Sequence, residues 1–283
     1  MKKLFSIVLA ALMVAALLAG CGSSTAETKA PETTAAPATE AAAPAETEAP
    51  AETEAAAAFT TIEAGKLIMS TNAAFPPYEM VADDGSFEGI DVEIAGAVAA
   101  KLGLELVVDD MDFDAALLAV QQGKSDFVMA GVTVYEDRKM VMNFSDTYSK
   151  GVQVVIVKEG SDVTLDNLGD QMIGTQRGTT GYIYASGDYG EDHVTAYDNG
   201  ASAVQALANG QVDCVIIDSA PAEAFVAANP GLAILDTEYT VEDYAIGMSK
   251  DNTALLEAVN GALKELTEDG TIPAIVEKYI PTK

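Results

Sequence analysis

No tryptophan occurs in the 283 residues, histidine appears once and cysteine twice. Two cysteines and one histidine are too few for a Cys/His zinc cluster, and no phosphate loop or nucleophile elbow is present. Bases are scarce as well: 15 Lys and Arg stand against 44 Asp and Glu, a formal charge of −29. Seven of the acids and three of the bases precede Thr61, which leaves 37 acids against 12 bases beyond it, still −25. Such a surface repels phosphodiesters and anionic lipid, so nucleic-acid binding is excluded.

Long apolar runs are missing too, with one exception. Leu4 to Leu17 is almost unbroken, follows Lys2 and Lys3, and ends in Leu18-Ala19-Gly20-Cys21. The run is short for a membrane span, and its flanks are those of a signal peptide, covering residues 1–21. Small residues followed at once by cysteine resemble the bacterial lipobox, in which Cys21 is lipidated and becomes the mature N-terminus. Residues 22–60 are mostly Ala, Glu, Thr and Pro and cannot bury enough apolar surface to offset chain entropy. They read as an acidic spacer between the outer face of the membrane and a domain, of a length that suits a Gram-positive cell wall. With Cys21 acylated, Cys214 has no disulfide partner, and its place in Val212–Ile217 reads as a buried strand.

From Thr61 onward, strand-length apolar runs alternate with helical patterns, which predicts an α/β architecture. Leu67–Ser70 and Leu104–Val108 read as strands, and 91–102 as a helix stopped by Gly103. Asp114 is the expected cap of the next helix, and Gly123 its stop. A last helix carries Leu255, Leu256, Val259, Leu263 and Leu266 and ends at Gly270.

One unit occurs twice. Ala119–Asp126 runs into Phe127–Ala130, and Gln205–Asp213 runs into Cys214–Ile217, the two glycines standing 87 residues apart. Each copy ends a helix at Gly and opens a strand after an Asp three residues later. Two such copies predict two similar lobes, here 61–151 with 246–283 and 152–245, joined where the chain crosses near Lys150–Gln153 and Tyr244–Gly247. Ligands of open α/β sheets bind beyond the carboxyl ends of strands. The first repeat delivers Gly131, Thr133 and Arg138 to that place, and the second delivers Asp218. A guanidinium facing a carboxylate is complementary to a zwitterion. Taken singly, Arg138 also suits a surface charge, and Asp218 a helix cap.

Six segments then occur in order: Asn72–Tyr78, Gly89–Glu93, Met111–Ala115, Thr133–Arg138, Asn143–Tyr148 and Gly178–Thr180. Together they resemble the amino-acid-binding solute-binding proteins of ABC importers, family 3, over nearly all of 61–283. The resemblance implies a type II periplasmic-binding fold, two α/β lobes on a two-strand hinge, acting as a monomer that docks on ABC permease subunits. It implies Phe75 and Phe113 as aromatic walls, Gly131 and Thr133 as contacts of the ligand ammonium, and Arg138 as clamp of its α-carboxylate beside the N–H groups near Thr133 and Thr180. It implies Asp218 as counter-charge to the ammonium and Gln176 and Thr179 as side-chain contacts. Phe113 equally fits core packing. Members that bind cationic amino acids carry an acid where this chain has Asn72, and some have Ser where it has Ala130. Both departures favour a polar uncharged or small ligand, cystine included. No cofactor or metal is implied. An enzyme on the same fold needs a positioned acid or base, and His193 lies in a polar loop instead. A sensory module feeding a receptor has the same pocket and remains the alternative.

Overall fold

The computed structural model describes residues 59–236 and 238–281; the expected signal peptide, Cys21 and nearly all of the spacer lie outside them. The chain opens with β1 (Lys66–Thr71), the two-residue β2 (Ala74–Phe75), β3 (Glu79–Val81) and β4 (Phe87–Glu88). β2, β3 and β4 form a small antiparallel sheet whose turn ends in Gly85, at φ 85°. Next come α1 (Ile90–Lys101), β5 (Glu105–Asp110), α2 (Phe113–Gln121), β6 (Phe127–Val128) and α3 (Glu136–Val141). The long β7 (Met142–Lys158) leads to β8 (Ile173–Gln176), α4 (Thr180–Tyr189), β9 (Val194–Tyr197) and α5 (Gly200–Ala208). The remainder is β10 (Cys214–Asp218), α6 (Ser219–Ala228), β11 (Leu232–Ile234), β12 (Thr240–Ser249), α7 (Thr253–Glu268) and α8 (Thr271–Tyr279).

Nine strands make one mixed sheet in the order β5-β1-β6-β12-β7-β10-β8-β9, with β11 on the side of β7. β1 is parallel to β5 and β6, and β8 is parallel to β9 and β10, so each end of the sheet is a parallel βαβ arrangement. β7 and β12 run antiparallel between them, pairing Gln153 with Thr240 at one end and Met142 with Ser249 at the other. Their pairing slips around Ala245, next to Tyr244. Both expected crossing segments lie on these two strands.

The repeated Asp has the same job in each copy. Asp126 Oδ2 accepts the Ile68 N–H at 2.8 Å while its own N–H donates to Ile68 O at 2.9 Å. Asp213 Oδ2 accepts the Met172 N–H at 2.8 Å while its N–H donates to Met172 O at 2.8 Å. Each carboxylate thus pins the start of its strand to the start of a neighbouring one. Asp126 Oδ1 also accepts the Ile62 N–H at 2.8 Å, which ties the chain's entry to the core. Asp126→Ala leaves two backbone N–H groups without that acceptor, one of them buried, and is expected to cost about 1–3 kcal/mol. Thermal denaturation checks this; an unchanged Tm refutes it.

Four apolar clusters fill the layers. Leu67, Met69, Ile90, Ile94, Phe127 and Leu255 belong to the largest, beneath α1 and α7, and Phe113, Val128 and Met142 to a smaller one. β10 is buried on both faces, with Val215 and Ile217 in one cluster and Cys214 and Ile216 in another. Cys214 is the core residue its flanks predict, and burial pushes its thiol up to about 12.

Two expectations are corrected. α2 begins at Phe113 behind Asp112, and Asp114 sits in its first turn, where it favours the helix dipole without capping it. Gly270, at φ 85°, closes α7 in the left-handed conformation as expected, but α7 is not the last helix, because α8 follows at once.

Candidate ligand-binding site

Strand ends and helix starts from the two ends of the sheet line one cavity. All eleven positions singled out from sequence line it: Asn72, Phe75, Phe113, Ala130, Gly131, Thr133, Arg138, Gln176, Thr179, Thr180 and Asp218. Neither His193 nor any cluster of three potential metal ligands among the described residues contributes.

Arg138 protrudes from α3 yet is only 7 % exposed. Its Nη1 donates to Thr133 O and its Nη2 to Gly178 O, each at 3.0 Å. Its guanidinium carbon lies 5.4 Å from the centre of the Phe113 ring, so this aromatic is both wall and core. No carboxylate among the described residues makes an ion pair with it, and burial pulls its pKa down. The buried Glu242 carboxylate acts on it without forming an ion pair, and a buried guanidinium with donors left over is prepared for an anionic guest.

Asp218 faces it from the end of β10. The residue is the N-cap of α6, its Oδ1 accepting from Ala220 N–H at 3.2 Å, and it lines the cavity as well. Cap and site are the same residue. Its Oδ2 accepts from Val152 N–H at 2.9 Å and from Tyr244 Oη at 2.8 Å. Burial nonetheless dominates and raises its pKa to about 7.

The two sides already touch across the cavity. Gln176 Nε2 donates to Asn72 Oδ1 at 2.9 Å, Thr133 Oγ1 lies 3.3 Å from Thr180 Oγ1, and Arg138 reaches Gly178 O. Thr180 opens α4, capped by Thr179, whose Oγ1 accepts from Tyr182 N–H at 3.3 Å. The first N–H groups of such a helix have no intrahelical acceptor, which suits a carboxylate. Phe75 stacks on Tyr78 at 5.7 Å, and Tyr78 meets Tyr244 edge-on at 5.4 Å. Gly131 lies at φ 54° under Phe75, where an added Cβ would be 2.9 Å from the Phe75 ring.

Sequence reasoning missed Glu79, Gln153, Ile216, Ile217 and Tyr244, which also line the cavity. The isoleucines read as core of a buried strand, and Tyr244 as part of the segment where the chain crosses between lobes. Glu79 follows the Pro76-Pro77-Tyr78 segment directly, and that position was the available signal. Gly151 has a role visible only in space: a Cβ there would stand 2.5 Å from Asp218 Oδ2 and 2.6 Å from Tyr244 Oη. Gly151→Ala is expected to destabilise by about 1–3 kcal/mol through overpacking. It should also weaken ligand binding, because Asp218 must move; wild-type Tm and affinity together would refute this.

Residues 67–282 match the bacterial extracellular solute-binding proteins, family 3. The chain belongs to that family. It is a solute-binding protein and not an enzyme, and its architecture is the type II periplasmic-binding fold. Among the relatives of this family 3 protein is a probable histidine-binding protein of Neisseria gonorrhoeae, 32 % identical over 79 % of this chain and 86 % of the relative. The L-cystine-binding protein TcyJ of Escherichia coli K12 is 30 % identical over 77 % and 83 %. An ancestral arginine-binding protein, solved with glutamine bound, superposes with a TM-score of 0.74 at 38 % identity, covering 77 % of this chain and 99 % of that one.

Proposed function

We propose that this protein captures a free amino acid outside the cytoplasmic membrane and delivers it to an ABC importer. The observation that carries the reading is that Arg138 and Asp218, buried and opposite in charge, line one cavity. Arg138 and the first N–H groups of α4 take the α-carboxylate, and Asp218 with the Gly131–Thr133 segment takes the ammonium. Phe75 and Phe113 enclose the aliphatic part. Residues 61–151 with 246–283 form one lobe and 152–245 the other, and a ligand bridging Arg138 and Asp218 favours their closure about β7 and β12. The protein acts as a monomer held to the outer membrane face by lipid on Cys21, and its spacer fits a Gram-positive wall. The Leu18-Ala19-Gly20-Cys21 segment supports the anchor.

Calorimetric titration tests the reading, using purified protein dialysed free of co-purified ligand, against the common amino acids and cystine. One-to-one binding of a narrow set, lost when the α-carboxylate is amidated, is expected. Silence across the set from folded protein refutes it.

A further inference from the structure

One buried acid beside the clamp lies outside the cavity and has no part in the zwitterion scheme. Glu242 belongs to β12, is 4 % exposed and stands opposite Gly151 of β7 in the strand pairing. The residues after it hold the segment that carries the clamp: Asp243 O accepts the Val134 N–H at 2.9 Å, and Tyr244 bridges to Thr133. Thr133 O is in turn the acceptor of Arg138 Nη1 at 3.0 Å. Thr133 lines both the ligand cavity and an outer recess whose wall includes Glu242 and Tyr184. Glu242 Oε2 accepts from Gln153 Nε2 at 2.9 Å, and Gln153 lines the cavity, whereas Glu242 Oε1 has no hydrogen-bond partner. Burial, and after it Glu242, push the Tyr184 hydroxyl up to about 12, which sets this carboxylate against α4 as well. Among the groups acting on the Arg138 guanidinium, Glu242 is the carboxylate; the others are the hydroxyls of Tyr135, Tyr184 and Tyr244. Lys139 borders the same recess, but its Nζ is paired with Glu136 at 2.7 Å. Glu242 also acts on Asp218, where its negative charge opposes ionisation.

We propose that Glu242 is the resident counter-charge of the clamp, a positioning residue that stabilises Arg138 while the cavity is empty and competes with the ligand's α-carboxylate once it is filled. This rests on the amino-acid reading above. Burying a guanidinium is costly unless an opposite charge is near, and in the empty cavity Glu242 is that charge. A bound α-carboxylate takes over the role on the fork itself, so that two like charges then flank one guanidinium and repel each other. The charge of Glu242 therefore makes the empty protein more stable and the affinity lower. Its effect on Asp218 works in the same direction, because Asp218 must be ionised to hold the ammonium. A carrier also has to let go of its ligand, and a carboxylate built in beside the clamp favours release.

The test is calorimetric titration at pH 7 of the wild type, Glu242→Gln and Glu242→Asp with each of the common amino acids and cystine, together with the Tm of each ligand-free protein. Glu242→Gln keeps the shape and an oxygen for Gln153 but removes the charge. It should bind the amino acids that the wild type binds about tenfold more tightly, with a lower ligand-free Tm. Glu242→Asp keeps the charge and should stay near the wild-type affinity. A residue that only supports the fold loses affinity on substitution and does not gain it. Unchanged or weaker binding by folded Glu242→Gln overturns the proposal. Equal tightening in Glu242→Asp overturns it as well, because charge is then not the cause. If Glu242→Gln does not fold alone, a wild-type ligand at saturating concentration should restore its fold by supplying the missing carboxylate, and no recovery overturns the proposal too. These outcomes leave the amino-acid reading standing, whereas silence of the wild type toward every amino acid removes both.

Discussion

Arg138→Ala is expected to abolish measurable amino-acid binding, with affinity falling by roughly 30-fold to several thousand-fold. That range corresponds to about 2–5 kcal/mol for truncating one member of a buried charge pair. Arg138 is 7 % exposed, and two of its five N–H donors are spent on the carbonyls of Thr133 and Gly178. The others remain for a carboxylate, which a fork can bind with two parallel bonds. Arg138→Lys keeps the charge and loses the fork, so it should recover only part of the affinity. Titration of both variants, with Tm recorded to separate lost binding from lost folding, checks the expectation. Wild-type affinity in Arg138→Ala would remove the clamp from the mechanism.

The second large effect belongs to Asp218. Asp218→Asn preserves the shape and retains an acceptor for capping α6, yet loses the charge that balances an ammonium. An affinity loss of about 100-fold at pH 8 is expected, since the ligand's ammonium is then buried against a neutral group. The pH profile is the sharper criterion. In the wild type, burial places the Asp218 pKa at about 7. A bound ammonium favours the ionised form, so below pH 7 affinity should fall by about tenfold per pH unit through this group. In Asp218→Asn that part of the slope should vanish. For the ligand-free fold the sign is opposite. The raised pKa means that Asp218 contributes stability below the ordinary carboxylate range, and this is lost as pH rises through about 7. A wild-type affinity that is flat between pH 5 and 8 would contradict this assignment.

Much of the fold was legible because its signals are local. The repeat of Gly, then Asp, then an apolar strand marked both parallel units, and the structure shows the reason in Asp126 and Asp213 each pinning a neighbouring strand. Gly103, Gly123 and Gly210 mark helix ends because each takes a positive φ that other residues resist. Where two local signals competed, the reading slipped. Asp114 was expected to cap α2, whereas Asp112 holds the N-cap position and Phe113, packed with Val128 and Met142, is the first helical residue. Gly270 does stop α7, and the helix missed beyond it, α8, is held by packing against α1 and α7.

The sequence by itself determined the elements, the doubled unit and the residues that a zwitterion needs, since periodicity, turn chemistry and side-chain charge are properties of neighbours along the chain. Only the tertiary structure decided what those residues meet. Glu79 became a cavity wall facing Asp91, Tyr244 a donor to Asp218, and Gly151 the space that lets Asp218 stay in place. Each of these depends on contacts between segments distant in sequence. Burial, which sets the charge state of Asp218 and of the Glu79–Asp91 pair, exists only once β3, α1, β7, β10 and β12 have packed together.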